Sequence, residues 1–325
     1  MPSDIVETRP ATPEEWDRAW ERCAYATYFH SRAWAELWER YTGGRIRPAP
    51  LAVRFADGQE VLLPWSIQRV ARMARRLVWS PGGTYGGWLG AESVTAAHAS
   101  TLAGLALGAK NIVWRVNPFD PHRRVLDGVS MRADHTHALD LSSGFEALEA
   151  AWRNEQPELL RKIRKAQRSG LAVEAARSER TWRDYYAAYE ESLVRWGKGA
   201  SAAYGWPLFA DLMGSSSGDV RLWVALSDGA VAAGALCFYA RRHAVYWHGA
   251  ARASFFPQRP ANLLMHTIIH DAAERGLDWF DFNPSGGHEG VERFKRSFGA
   301  QPLASPVILR ESFPLRLARR LRGRR

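Results

Sequence analysis

The sequence predicts an α/β protein, of the α+β kind, built from two domains with mixed central sheets. Three observations lead there. The chain has 325 residues, and at ~150 residues per domain that length suits two. The second half reads in the order β-α-β-β-β-α-β-α-β. The first half carries its own succession of helical and alternating patterns. Boundaries follow at 1–140 for the first domain, 141–310 for the second and 311–325 for a basic tail.

In the first half, Pro13 to Tyr41 places Trp16, Trp20, Trp34, Leu37 and Trp38 at helical spacing. Two short helices follow, broken near Tyr28–Ser31, with Ser31 as the second N-cap. PLAVRFADG and QEVLLPWSIQRV alternate in hydrophobicity and meet at Asp57-Gly58, a hairpin turn pair. RLVWSPGGTYGGWLG is a strand running into a glycine-rich loop, Thr95 to Ala109 a helix, and NIVWRVNPF another strand. The two glycine pairs in the loop Ser80–Trp88 bring backbone close to a ligand, with Tyr85 and Trp88 as substrate-binding walls, or else form a flexible surface connection. No Gly-Lys-Ser/Thr closes the loop, so it is not a Walker phosphate cradle.

HTHALDL is a short strand before the domain boundary, and Gly144 to Arg168 is helical up to Gly170, a natural C-cap. LAVEAAR is a strand, and Glu179 to Trp196 a helix. VRLWVALS, AVAAGALCFYA and HAVYWHGAA are strands turned at Asp228-Gly229 and Arg241-Arg242. Pro260 to Arg275 is a helix with proline in its first turn and Gly276 at its end. LDWFDFN is a strand, PSGGHEG a loop, VERFKRSF a helix and LASPVIL a last strand.

Composition narrows the function. With 46% hydrophobic and 24% charged residues the chain is neither disordered, collagenous nor coiled coil. No window approaches ~18 consecutive apolar residues. MPSDIVETRPATPEEW lacks the basic and apolar regions of a signal peptide, so the expected location is cytoplasmic. Cys23 and Cys237 stand in no ligand spacing and read as small buried residues; no metal site is expected. The net charge is 44 − 34 = +10, with seven Arg and one Glu between Arg310 and Arg325. A second cluster is Arg161, Lys162, Arg164, Lys165 and Arg168. It is a solvated face or an anion-binding wall, for RNA, a nucleotide-linked substrate, CoA or acidic lipid. The tail SFPLRLARRLRGRR reads as a frayed end or as a basic amphipathic helix. The helix would suit a tRNA backbone or the inner face of an anionic membrane.

The element order of the second half resembles the GNAT acyltransferase fold. Four segments are similar to its FemABX-like branch: LLRKIRKAQRSG ending at Gly170, YAAYEESLVRWGKG at 186–199, DGAVAAGALCFYARRHAVYWHGAA, and GLDWFDFNPSGGHEGVERFKRSFGAQP at 276–302. The last is the most specific, because the family runs from a strand through a loop to Arg-Phe-Lys and then Phe-Gly. The resemblance covers about residues 140–310. It implies two tandem GNAT-like domains, the first a degenerate copy. The sequence departs from the family pattern at Asn283, where glycine is usual.

The resemblance implies N-acyl transfer: an amine attacks an activated carbonyl, so the site needs a proton acceptor and a donor or positive charge for the oxyanion. It places Lys295 of Arg-Phe-Lys at the acyl end of the cleft, with Arg293 and Phe294 beside it. From spacing alone Lys295 is a surface lysine of an amphipathic helix. His288 and Glu289 can accept the amine proton and Asp281 can orient the amine, or each is a cap or loop hydrogen bond. Tyr246 and His248 lie on the strand that borders the acyl group in this fold. Arg195, Trp196 and Lys198 suit a phosphate or nucleobase, or are a packed Trp with solvated charges. No cofactor is bound permanently. The donor is aminoacyl-tRNA or, alternatively, acetyl-CoA or another acyl-CoA. Acetyl-CoA enzymes of this fold place a glycine turn before the central helix. Here Phe256-Pro257-Gln258-Arg259-Pro260-Ala261-Asn262 has none, leaving the Arg259 side chain for a phosphate. The acceptor is an amine-bearing small molecule or peptide, such as a peptidoglycan precursor or a specialised metabolite, or a polysaccharide or lipid in the CoA reading. A non-catalytic RNA- or envelope-binding role is the third reading. The expected state is a monomer.

Overall fold

A computed structural model describes residues 1, 3–70, 74–197, 202–215, 217–313 and 315–316. The chain divides into two compact units, Met1–His135 with Ala304–Arg325, and Thr136–Leu303. The expected tail at 311–325 falls largely outside the described residues.

The first unit holds two sheets. One has strand order β1 (Ile5–Pro10), β3 (Leu51–Phe55), β4 (Glu60–Leu63), β8 (Leu89–Gly90). The other runs β17 (Val307–Arg310), β9 (Ile112–Val116), β6 (Arg75–Val78), β5 (Ser66–Arg69), β2 (Ile46–Pro48), with β7 (Tyr85–Gly86) also on β9. It is mixed, since β6 and β9 run parallel. The stretch read as one strand, LASPVIL, is two. β16 (Gln301–Ala304) and β17 join different sheets on either side of Ser305-Pro306, because proline lacks the N–H a continuous ladder needs.

Helix α1 (Pro13–Arg22) starts at a Thr12–Glu15 capping box. In α2 (Arg32–Tyr41) the Ser31 hydroxyl accepts from the Trp34 N–H at 3.2 Å, the cap expected from sequence. Aromatic rings fill this core: Trp79 stacks on Trp114 at 4.5 Å, and Trp88 meets Trp114 edge-on at 5.8 Å. Tyr85 and Trp88 are both 0% exposed and pack in this core, so neither forms an open ligand wall. Two of the loop glycines lie close against tryptophans. A Cβ on Gly86 would sit 2.3 Å from the Trp79 Cβ, and one on Gly82 2.6 Å from Trp38.

The second unit is a seven-stranded sheet in the order β11 (Ala172–Ala175), β12 (Val220–Ser227), β13 (Ala230–Tyr239), β14 (His243–Ala251), β15 (Trp279–Asp281), β10 (His135–Asp140), β16. β11 to β14 are antiparallel, while β14 and β15 are parallel and joined by α8 (Pro260–Glu274). One face packs Trp152 of α4 (Gly144–Glu155), Leu159 and Ile163 of α5 (Pro157–Arg168), and Leu263 and Ile268 of α8 into one core. The single helix expected over 144–168 is broken at Gln156-Pro157, because the residue before proline avoids the helical region. On the other face lie α6 (Glu179–Trp196), capped by Ser178, and α7 (Trp206–Met213), which the sequence reading left unassigned. A Cβ on Gly234 of β13 would lie 2.3 Å from the Tyr185 ring, so glycine there lets α6 close on the sheet.

His30 gives the first unit a pH signature. It is 1% exposed; its Nδ1 accepts from the Thr27 N–H at 3.2 Å, and burial lowers its pKa from 6.5 to about 4. Between those values the unfolded chain binds a proton that folded His30 refuses, so stability falls as pH falls. The loss is on the order of 3 kcal/mol across the window. Asp120 works oppositely, since burial raises its carboxyl to about 6. Urea unfolding of wild type against His30→Gln isolates the histidine: the variant should lose less stability between pH 6.5 and 4, and equal losses would contradict the assignment.

Candidate active site

β15 is short. It pairs with β14 only at His243–Trp279, Ala244–Phe280 and Val245–Asp281. β14 then runs on through Tyr246, Trp247 and His248, while the other chain leaves the sheet at Phe282-Asn283, where Asn283 has φ +61°. The two parallel strands therefore open a gap in the middle of the sheet. β14 also carries a bulge. Leu236 pairs with His248 and Cys237 with Tyr246, leaving Trp247 unmatched.

The bulge sends neighbouring side chains to different faces. Tyr246 packs on the α8 side, 6.5 Å from the Phe282 ring. His248 lies on the α6 side, where its Nδ1 is 2.6 Å from the Tyr185 hydroxyl and its ring 4.4 Å from that of Tyr189. Burial lowers the His248 pKa to about 3 and pushes the Tyr185 and Tyr246 phenols up. His248 is therefore a neutral imidazole at physiological pH.

Lys295 sits on α9 (Glu289–Arg296), only 2% exposed, and its Nζ donates to the Asn283 carbonyl. The surface-lysine reading does not hold. Asp281 is fully buried. Its Oδ1 accepts from the Thr136 hydroxyl at 2.5 Å and from the Asn283 N–H at 2.8 Å. Asp281 and Lys295 thus grip opposite sides of the Asn283 peptide group region, fixing the residue at which the strand leaves the sheet. These two contacts of Asp281 hold the loop. Phe294 is half-buried against Phe298 at 5.2 Å, and Arg293 is exposed. His288 and Glu289 are exposed at the start of α9, with His288 as its N-cap.

At the far end of β14, Arg195 donates to the Ser192 hydroxyl at 3.0 Å and to the Ala251 carbonyl at 3.1 Å. Its guanidinium lies 5.1 Å from the Phe256 ring and 6.0 Å from that of Trp196. Lys198 lies outside the described residues. Arg259 is the N-cap of α8 with φ +62°, and it is exposed. Pro260 offers no N–H, and that of Asn262 already bonds the Arg259 carbonyl at 3.1 Å. On α5, Arg161 pairs with Glu158 at 2.5 Å. Among the described residues Lys162, Arg164, Lys165 and Arg168 have no carboxylate within 4.0 Å; Leu159, Leu160 and Ile163 bury the opposite face. Among the described residues no group of three or more His, Cys, Asp or Glu is placed to hold a metal ion, and no helix is long and apolar enough to cross a membrane.

Sequence reasoning missed Tyr185, whose pairing with His248 depends on a bulge that carries no sequence mark. It also missed Thr136 and the Asn283 backbone as the partners of Asp281 and Lys295. Asn283 in the place of a usual glycine was the available signal, since both residues tolerate the positive φ found there.

Residues 153–296 match the family described as an acetyltransferase (GNAT) domain. No curated protein compared with the chain matches it. The fold is similar to that of the crystal structure of FemX, at 14% identity, covering 94% of this chain and 98% of that one, TM-score 0.70. It is also similar to L-PGS from Bacillus licheniformis, at 16% identity, covering 98% and 99%, TM-score 0.60. A third likeness is the C-terminal domain of a protein assigned as a lysylphosphatidylglycerol synthetase from Agrobacterium fabrum, at 13% identity, covering 94% and 95%, TM-score 0.59.

The bulge makes a packing prediction. A Cβ on Gly249 would fall 1.9 Å from the Tyr246 hydroxyl. Gly249→Ala should cost about 1–3 kcal/mol in urea unfolding. In a Tyr246→Ala background the same change should cost under about 0.5 kcal/mol, because the clash has gone. Equal costs in the two backgrounds would show that the ring does not lie over Gly249.

Proposed function

We propose that this chain, a FemABX-like acyltransferase of GNAT fold, moves an aminoacyl group from aminoacyl-tRNA to an amine acceptor. The observation that carries the donor reading is the entry to α8. A CoA pyrophosphate in a fold of this kind needs backbone N–H groups at that helix start. Here Pro260 has none and Asn262 has spent its own. The unpaired cations of α5 support a polyanionic donor.

In this reading the gap between β14 and β15 holds the ester carbonyl. The acceptor amine attacks that carbon, forming the N–C bond, and the ribose oxygen leaves as the tetrahedral intermediate collapses. The amine proton passes to a base and from there to the leaving oxygen; His288 and Glu289 are the exposed candidates. Lys295, held to the Asn283 carbonyl, places its amino group beside the gap where the oxyanion develops. Its fixed position avoids the reorganisation a mobile lysine would need. Tyr246 and His248 line the β14 side, and Asp281 positions the loop. Arg195, Trp196 and Arg259 meet the nucleotide end. The acceptor is a peptidoglycan precursor, a specialised metabolite or a lipid-linked amine reached by peripheral membrane contact through the basic tail.

The test supplies purified protein with a mixed aminoacyl-tRNA pool and candidate amines. Transfer should occur, stop after RNase treatment, and fall at least about 100-fold in Lys295→Met. Saturable acetyl-CoA binding that is lost in Arg259→Ala, with acetyl transfer and none from tRNA, would overturn the reading in favour of an acyl-CoA donor.

A further inference from the structure

The first unit carries a row of like charges that its fold does not compensate. β2, β5 and β6 are antiparallel neighbours, with Ile46 opposite Gln68 and Arg69 opposite Arg75. The Arg69 N–H bonds the Arg45 carbonyl at 2.8 Å, one step beyond the Ile46–Gln68 pair. Arg45, Arg69 and Arg75 therefore stand directly across from one another on three adjacent strands. Directly opposed residues share a face of the sheet. The Val70 N–H bonds the Ala74 carbonyl at 2.9 Å, which makes Arg69–Arg75 the closer, non-hydrogen-bonded kind of pair, with Cα atoms about 4.5 Å apart. All three residues are exposed.

Opposed like charges destabilise a sheet. Four other arginines of this unit have acids: Arg54 pairs with Glu7 at 2.7 Å, Arg115 with Asp134 at 2.9 Å, Arg32 with Asp17 at 2.8 Å and Arg76 with Glu311 at 3.3 Å. Among the described residues no carboxylate lies within 4.0 Å of Arg45, Arg69 or Arg75. A row that is costly to the free protein and spaced by the strands themselves is suited to successive anionic groups. Guanidinium forks match phosphate oxygens two at a time.

We propose that the Arg45–Arg69–Arg75 row binds the phosphate backbone of the tRNA donor, as a contact separate from the second unit's acyl-transfer gap. The proposal rests on the tRNA reading above and names where on the first unit the RNA is held. The contact is sequence-independent, so it recognises tRNA as a polyanion and leaves the choice of amino acid to the other unit.

The test compares wild type with Arg45→Gln/Arg69→Gln/Arg75→Gln for binding of an uncharged tRNA pool between 50 and 200 mM salt. The log Kd against log salt slope should become shallower by about 2–3, and affinity at 50 mM should fall about tenfold or more. Without RNA the variant should melt no lower than wild type, because repulsion has been removed. Should the triple variant fail to fold, Arg69→Gln alone should reduce the slope by about 1. Unchanged slope and affinity in a folded variant would overturn the proposal. So would tRNA binding that is retained while binding to phosphatidylglycerol vesicles is lost. Transfer by wild type from aminoacyl-tRNA is read separately. Transfer with an unchanged slope in the variant overturns the row and leaves the donor reading standing. A lost slope with no transfer from any aminoacyl-tRNA upholds the row and overturns the donor reading.

Discussion

The parallel pairing of β14 with β15 lasts three residues, and the arrangement of the site depends on where it stops. A longer β15 would have continued the ladder and closed the sheet against any substrate. Its end is set by Asn283 in the left-handed region, a conformation that breaks strand geometry. That residue is held from both sides, by the Asp281 carboxylate on its N–H and the Lys295 ammonium on its carbonyl. Burying two such polar side chains is costly unless they are hydrogen-bonded. Here they secure the one backbone position at which the strands separate. In the proposed reaction this contact fixes the Lys295 amino group before the oxyanion develops, and a donor held in place stabilises a transition state without reorganisation.

The opposite wall follows from a second local irregularity. The Trp247 bulge turns Tyr246 toward the α8 core and His248 toward α6. Without the extra residue His248 would fall on the same face as Tyr246. The bulge therefore supplies the gap with a phenol from one side and a neutral imidazole, held by Tyr185, from the other. Gly249 and Gly234 accommodate the tyrosines that this geometry swings inward.

Much of this framework was legible in the sequence. The period changes, the Ser31 cap and the Gly170 and Gly276 stops each reflect a local steric or hydrogen-bonding rule, and those elements lie where the pattern put them. The breaks at Pro157 and Pro306 were written in the sequence too, but a lone proline within an apolar run is easily read through. The site was less legible because its contacts join residues far apart in the chain. Thr136 meets Asp281, Tyr185 meets His248, and Asn283 offers a carbonyl rather than a side chain. Tyr85 and Trp88 misled for a related reason. Glycine beside an aromatic signals close approach, and composition does not say whether a ligand or another ring approaches; here it is Trp79.

The central claim is that acyl transfer takes place in the gap between β14 and β15. The most direct measurement is a crystal structure with an RNA minihelix whose 3′ end carries a stable amide-linked aminoacyl group. The account predicts the amide carbonyl between the open edge of β14 at Tyr246–His248 and the Asn283 loop, within reach of Lys295. An ordered aminoacyl group bound anywhere else on the protein, with that gap empty, would contradict it.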